Sequence, residues 1–126
     1  MTHLIIVALG GAIGAALRHL TSLGFMRWLG PAFPYGTLFV NIVGSLAMGL
    51  LIGWLVKRTG GASNELRLFL ATGLLGGFTT FSAFSLDVAN LWQRGEMVSA
   101  FGYIIGSVVL SILAVFVGLW LMRSVS

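Results

Sequence analysis

The sequence predicts an all-α membrane protein of four transmembrane helices, the third of them broken mid-membrane. Three observations carry that prediction. The chain is 58% hydrophobic and only 8% charged, where an ordinary globular domain carries about a quarter charged residues; its mean hydropathy is +1.04. Its 126 residues divide into four apolar runs, each able to supply the ~20 residues a bilayer-crossing helix needs. The middle of the third run reads Gly76-Gly77-Phe78-Thr79-Thr80, a poor helix interior. These runs and their short loops leave space for little else, so residues 1–126 form one transmembrane domain.

Helix 1 is expected over 4–29. The start Met1-Thr2-His3 lacks a basic n-region and the apolar run continues to Leu17, so it reads as a retained membrane helix rather than a signal peptide. A loop holding both prolines, Pro31 and Pro34, follows, since Pro and Gly punctuate helices. Helix 2 is expected over 35–56, with a loop at 57–64. Helix 3 spans 65–92, broken near 76–80. Gln93-Arg94-Gly95-Glu96 is a tight turn, and helix 4 runs over 97–122. Trp28, Trp54, Trp92 and Trp120 all fall near helix C-terminal ends, as an interfacial aromatic belt requires.

The net charge of +4 comes from seven basic and three acidic residues that mostly punctuate apolar runs. Nucleic-acid binders instead cluster Lys and Arg on one face, so no nucleic-acid partner is expected. There is no cysteine, which excludes thiolate metal sites and cysteine nucleophiles. Four spans place both termini and the 57–64 loop on one side, with Lys57, Arg58, Arg67 and Arg123; Arg18, Arg27 and Arg94 belong to the other. A clear Lys/Arg excess normally sets orientation. Four against three is hardly an excess, which predicts insertion in both orientations and an antiparallel homodimer.

Polar residues recur at one-turn spacing. Thr37, Asn41 and Ser45 share a face of helix 2; Ser99, Tyr103, Ser107 and Ser111 share a face of helix 4, because steps of four stay on one side. Polar groups at this depth need partners or water. Two readings stand: interhelical glue, with hydroxyls bonded back to the backbone, or the wall of a narrow polar path. Asn41 favours the path, since an amide with two N–H donors is harder to hide than a hydroxyl. The helix-3 break is either a kink or an opening of the backbone whose carbonyls coordinate a hard cation such as Na⁺. Beside it, Phe81 and Phe84 lie three apart. Ring edges are positive and can favour a small anion without a full charge. Gly10 and Gly14, at GxxxG spacing, and Gly44, Gly49 and Gly53 are packing residues. Arg18 is expected to snorkel, to give a pore mouth positive potential, or to do both. There is no mid-membrane Glu or Lys, no nucleophile–base set and no transition-metal motif, so no enzyme is expected.

The segments Gly10-Gly11-Ala12-Ile13-Gly14-Ala15-Ala16-Leu17-Arg18, Gly36-Thr37-Leu38-Phe39-Val40-Asn41-Ile42-Val43-Gly44-Ser45 and Gly76-Gly77-Phe78-Thr79-Thr80-Phe81-Ser82 resemble the CrcB/Fluc family of microbial fluoride channels. The likeness covers all four helices, and the Thr-Thr-Phe-Ser-x-Phe run is its specific part. Ala83 stands where the family commonly has Thr, His19 where Tyr is common, and Asp87 where Glu is frequent. The resemblance implies an antiparallel dual-topology dimer in the cell inner membrane, surrounded by lipid, with two fluoride pores and a structural Na⁺. Phe81 and Phe84 would face fluoride. Asn41 would be the pore amide, and Thr37, Tyr103, Ser107 and Ser111 the polar track, with Thr80 and Ser82 also in the pore. Gly76 and Thr79 would give carbonyls to Na⁺, and Arg18 would lie at the vestibule. The implied function is passive fluoride export that lowers cytoplasmic fluoride. The alternative is a small dual-topology multidrug-type transporter, but such proteins resemble one another in carrying a Glu in helix 1, and helix 1 here has no acid. A non-transporting subunit of a larger complex explains the glycines, not the polar stripes or the break.

Overall fold

A backbone surrounded by lipid has no water to bond to, so its N–H and C=O groups must pair within the segment. The chain meets this demand with long helices. In the computed structural model, which describes residues 1–30, 32–59 and 64–124, α1 spans Thr2–Leu29 and α2 spans Tyr35–Thr59. The third crossing is composite: α3 (Asn64–Arg67), a π-helical stretch Leu68–Leu75, α4 (Gly76–Phe78), a break at 79–81, and α5 (Ser82–Gln93). The fourth, α6, spans Met97–Ser124. Four of these segments are long and apolar enough to cross a membrane. No strand occurs among the described residues.

Boundaries differ from the sequence expectation by up to three residues, most at the end of α2. α2 continues through Thr59, three residues into the expected 57–64 loop; the rest of that loop, 60–63, lies outside the described residues. The break also falls later than the glycines suggest. Gly76 and Gly77 remain helical, and Thr79 is the first extended residue, at φ −88° and ψ 159°. The glycines are there for proximity. A methyl group on Gly77 would stand 2.5 Å from the Gly11 carbonyl oxygen.

Packing follows the small residues. α1 lies along the π-helical stretch and α4, while α2 lies chiefly along α6, with α5 also against α6. A Cβ on Gly14 would strike the Leu74 carbonyl and stand 2.7 Å from the Phe78 nitrogen. Where α2 crosses α6, a Cβ on Gly118 would lie 2.6 Å from the Leu46 carbonyl oxygen. Backbones this close exchange dispersion directly, which substitutes for the hydrophobic force that lipid removes. Outward positions such as Leu9, Ile13, Ile105, Leu113 and Phe116 are exposed, as a lipid-facing surface requires. Trp28 and Trp92 mark one end of the bundle, and Trp54 and Trp120 the other, consistent with belts at both interfaces.

A small buried core holds the centre of one half. Phe84, Leu91, Ala100 and Tyr103 form it, with Phe33, Leu38, Val88 and Ile104 packed against them. This core lies between two cavities, and those cavities locate the site.

Candidate functional site: a donor-lined passage beside the helix break

At the break, each freed backbone group finds a specific partner. The Thr80 N–H, which a continuing helix would direct to the Gly76 carbonyl, donates to Asn41 Oδ1 at 2.9 Å. Asn41 Nδ2 donates back to the Thr80 carbonyl at 3.1 Å. One amide from α2 thus pairs both polar groups of one peptide residue, and it must hold a fixed orientation to do so. The Thr79 hydroxyl donates to the Leu75 carbonyl at 3.1 Å, closing the end of α4. The Thr80 hydroxyl accepts from the Ala83 N–H at 3.3 Å and shares a hydrogen bond with Ser82 Oγ at 3.2 Å. It therefore satisfies one of the free N–H groups in the first turn of α5, just ahead of the N-cap residue Phe81. Ser85 Oγ donates to the Phe81 carbonyl at 3.0 Å.

Arg18 is drawn to the same place. Its Nε donates to the Gly77 carbonyl at 3.1 Å, and it lines neither cavity. The expected vestibule residue is therefore bound to the break from the α1 side. A charged donor on a carbonyl with no helical partner is among the stronger hydrogen bonds available to it.

On the α2–α6 side of the break, packing stops short. A cavity of about 440 Å³ is lined by Asn41, Thr80, Phe81, Phe84, Ser107 and Ser111, with Ser45, Gly76 and Thr79 also at its wall. Of the expected pore residues, the fold brings these together. Phe81 and Phe84 rings are 5.5 Å apart, tilted by 42°. The Ser107 and Ser111 hydroxyls are buried without a hydrogen-bond partner. Unpaired buried hydroxyls are costly and usually bonded, so two on one helix face, one turn apart, mark a place reserved for something else. Asn41 adds one further N–H, since Thr80 uses only one of its two. No Lys, Arg, Asp or Glu lines this cavity: it is neutral and rich in donors.

A second cavity, of about 540 Å³, opens at the end of the bundle that holds Gly30, Phe33, Pro34, Gln93 and Arg94. Thr37, Asp87, Asn90 and Arg94 line it, with Phe33 and Tyr35. Thr37 thus stands apart from Asn41 and Ser45, which share its stripe, and on the far side of the buried core. Tyr103 stands between the cavities. Its ring lies 5.0 Å from Phe84 and 5.4 Å from Phe33, and its hydroxyl donates to Asp87 Oδ2 at 3.0 Å. Ser82 is exposed and bonded to Thr80, outside either cavity.

Sequence spacing did not single out Phe33, Asp87 or Arg94 as site residues. Asp87 carried a signal, being the only acid in the interior of an expected span; Phe33 and Arg94 come from loops, where spacing says nothing about contacts. Among the described residues no group of three His, Cys, Asp or Glu gathers, so any ion held here would be held by backbone carbonyls and neutral donors.

Four membrane-crossing helices carry a neutral, donor-lined cavity open to one side and a wider cavity lined by Asp87 and Arg94, with the Tyr103 ring at the neck between them, an arrangement suited to a small polar solute or ion. Residues 5–119 match the family described as CrcB-like protein, Camphor Resistance (CrcB), and the chain belongs to that family. It is 59% identical over 124 residues to the fluoride-specific ion channel FluC of Mesorhizobium japonicum, covering 98% of each chain. It is 62% identical over 125 residues to that of a Chelativorans species, covering 99% of each. It is 58% identical over 125 residues to that of Hyphomonas neptunium, covering 99% of this chain and 98% of the relative. It is a multi-pass protein of the cell membrane, and not an enzyme.

Proposed function

We propose that this chain is a fluoride-selective ion channel that lets fluoride leave the cell down its gradient and so lowers cytoplasmic fluoride. The observation that carries the reading is the pair of buried, partnerless hydroxyls of Ser107 and Ser111 on the cavity that the Phe81–Phe84 pair also lines. Dehydrating a small anion costs tens of kcal/mol by a Born estimate. Hydroxyl and amide donors, with ring edges, must replace its water shell. They must do so without a fixed cation, because a conducted ion has to leave as readily as it binds. A neutral, donor-rich cavity meets both conditions. In this reading Asn41, Ser107 and Ser111 hydrate the ion beside Phe81, Phe84 and Thr80, and Tyr103 and Thr37 pass it to the wider cavity. Arg18 and Ser82 hold the break in shape through their bonds to Gly77 and Thr80, beside the vestibule and pore roles expected of them.

The protomer also leaves its break uncovered. Phe81 is 75% exposed, and Gly76, Ser82 and Ser85 are exposed beside it, at mid-membrane depth. Polar and irregular backbone survives there only when protein covers it. A second copy of the chain is the cover we propose, antiparallel because the charge balance sets no orientation, and carrying a second passage. Gly76 and Thr79 fit a structural Na⁺ on the same axis. The Thr80 and Ala83 N–H groups that would bond their carbonyls donate to Asn41 and to the Thr80 hydroxyl instead, and carbonyl oxygens suit a hard cation. Such an ion would fix the break electrostatically. No acid lies in α1, which a multidrug-type exporter would need.

The deciding experiment is efflux from liposomes holding purified protein, followed with fluoride and chloride electrodes on matched samples. Fast fluoride release with negligible chloride release is the expected result. No release from verified, folded protein would remove the channel reading. A side-specific reporter on each terminus tests the dual orientation, and a single orientation would end it.

A further inference from the structure

The aromatic residues continue beyond the Phe81–Phe84 pair. From Phe84 the row runs to Tyr103 at 5.0 Å, on to Phe33 at 5.4 Å, and then to Tyr35 at 4.9 Å. The planes of Phe33 and Tyr103 meet at 82°, an edge-to-face contact in which a positive ring edge meets a negative face. Phe33 belongs to the connection between α1 and α2, where a side chain has every opportunity to reach water or headgroups. It is instead half-buried and packed on the core that contains Tyr103.

Its backbone is held on both sides. Arg94, from the connection between α5 and α6, donates from Nη2 to the Ala32 carbonyl at 2.7 Å, one residue before Phe33. The Tyr35 N–H donates to the Phe33 carbonyl at 2.9 Å. The two connections at this end of the bundle are therefore joined beside Phe33. Tyr103, the ring between the two cavities, is in turn oriented by four groups: Asp87 and Thr37 at its hydroxyl, and the Phe84 and Phe33 rings against its own.

We propose that Phe33, fixed by the Arg94 to Ala32 hydrogen bond, is a positioning residue that sets the Tyr103 ring at the neck between the cavities. The width of the neck then depends on a loop residue outside the membrane-spanning helices. The consequence for flux rests on the channel reading above; the geometric claim does not.

Two measurements test it. The chain has two tyrosines, both in contact with Phe33, so 3-fluorotyrosine labelling gives two fluorine resonances, which Tyr103→Phe assigns. Phe33→Leu keeps apolar bulk and is expected to shift the Tyr103 resonance with elution and melting unchanged; Arg94→Ala should move it the same way. In liposomes, Phe33→Leu should slow fluoride release roughly three- to tenfold, the loss of one aromatic pair expressed as a rate. Phe33→Tyr, which restores the edge, should recover it. An unmoved Tyr103 resonance, or wild-type release by Phe33→Leu, would overturn the proposal. If Phe33→Leu fails to fold, Phe33→Met is read by the same criteria. Wild-type protein that releases no fluoride would remove the channel reading, while the fluorine shift would still decide whether Phe33 positions Tyr103.

Discussion

The two sides of the helix break answer the same physical problem in opposite ways. On the α1 side, glycines bring backbones together until no methyl group fits: Gly10, Gly14 and Gly77 all face carbonyls or nitrogens of the neighbouring helix. On the α2–α6 side, the chain leaves a cavity of about 440 Å³ and two hydroxyls without partners. Lipid offers helices no hydrophobic reason to associate, so the first side holds the bundle together by proximity. The second side carries the cost of its unpaired donors. A membrane protein that can seal one face this well has no structural need to leave the other open. The open face is where an ion can be accommodated.

That contrast predicts unequal responses to substitution. The largest effect should come from the sealed side. Gly14→Leu drives a side chain into the Leu74 carbonyl and the Phe78 nitrogen. Overpacking ordinarily costs roughly 1–3 kcal/mol, and here the obstacle is backbone that cannot rotate away. Size-exclusion chromatography in detergent should show little monodisperse protein; a normal peak would mean that the seam is looser than described. Asn41→Leu comes next. It strands the Thr80 N–H and carbonyl at once, at about 1–3 kcal/mol for each buried group left unpaired, so the melting temperature should fall and fluoride release should stop. On the open side, Phe84→Ile should abolish release while leaving folded protein, since it removes a ring edge and keeps the volume. Wild-type flux in that variant would remove the ring-edge mechanism.

How much of this was legible in the sequence follows from the same contrast. The four spans were readable because hydropathy accumulates over ~20 residues and needs no knowledge of contacts. The break was readable because Gly-Gly-Phe-Thr-Thr is a poor helix former, although the extended residue proved to be Thr79 and the glycines stayed helical. The helix-4 stripe was readable as a face because α6 is uninterrupted, and Tyr103 and Ser107 are indeed its buried positions. The π-helical stretch at Leu68–Leu75 was not readable. Nothing in Leu-Phe-Leu-Ala-Thr-Gly-Leu-Leu distinguishes it from an α-helix, and each π turn rotates the downstream face relative to ordinary spacing. Nor could sequence show that Arg18 reaches Gly77, 59 residues away, or that a loop phenylalanine lies on Tyr103. These depend on which helices become neighbours, and periodicity within one helix does not contain that information.

Two smaller effects sharpen the comparison further. Ser107→Ala removes a hydroxyl that no protein group uses. Folding should lose nothing, and the melting temperature should hold or rise slightly, because an unpaired buried donor is removed. Fluoride release should nonetheless fall, by roughly five- to tenfold if one hydrogen bond of ordinary strength to the ion is lost. Opposite signs in stability and flux are what separates a donor kept for a passing ion from one kept for packing. If both fell together, Ser107 would belong with the glycine seam.

The smallest effect should be at Glu96. Its carboxylate pairs with Arg94 Nε at 3.1 Å, but both side chains are close to half exposed, at 44% and 45%. Exposed pairs of this kind are worth about 0–1 kcal/mol, and salt screens them further. Arg94 keeps its Nη2 bond to the Ala32 carbonyl without Glu96, so the connection beside Phe33 stays joined. Glu96→Gln should therefore leave melting and fluoride release close to wild type, measured beside Arg94→Ala. Near-neutrality at Glu96 with slowed release at Arg94 places the effect in the hydrogen bond to Ala32. Equal losses in both variants would place it in the charge pair, and would make the mouth of the wider cavity an electrostatic feature in its own right.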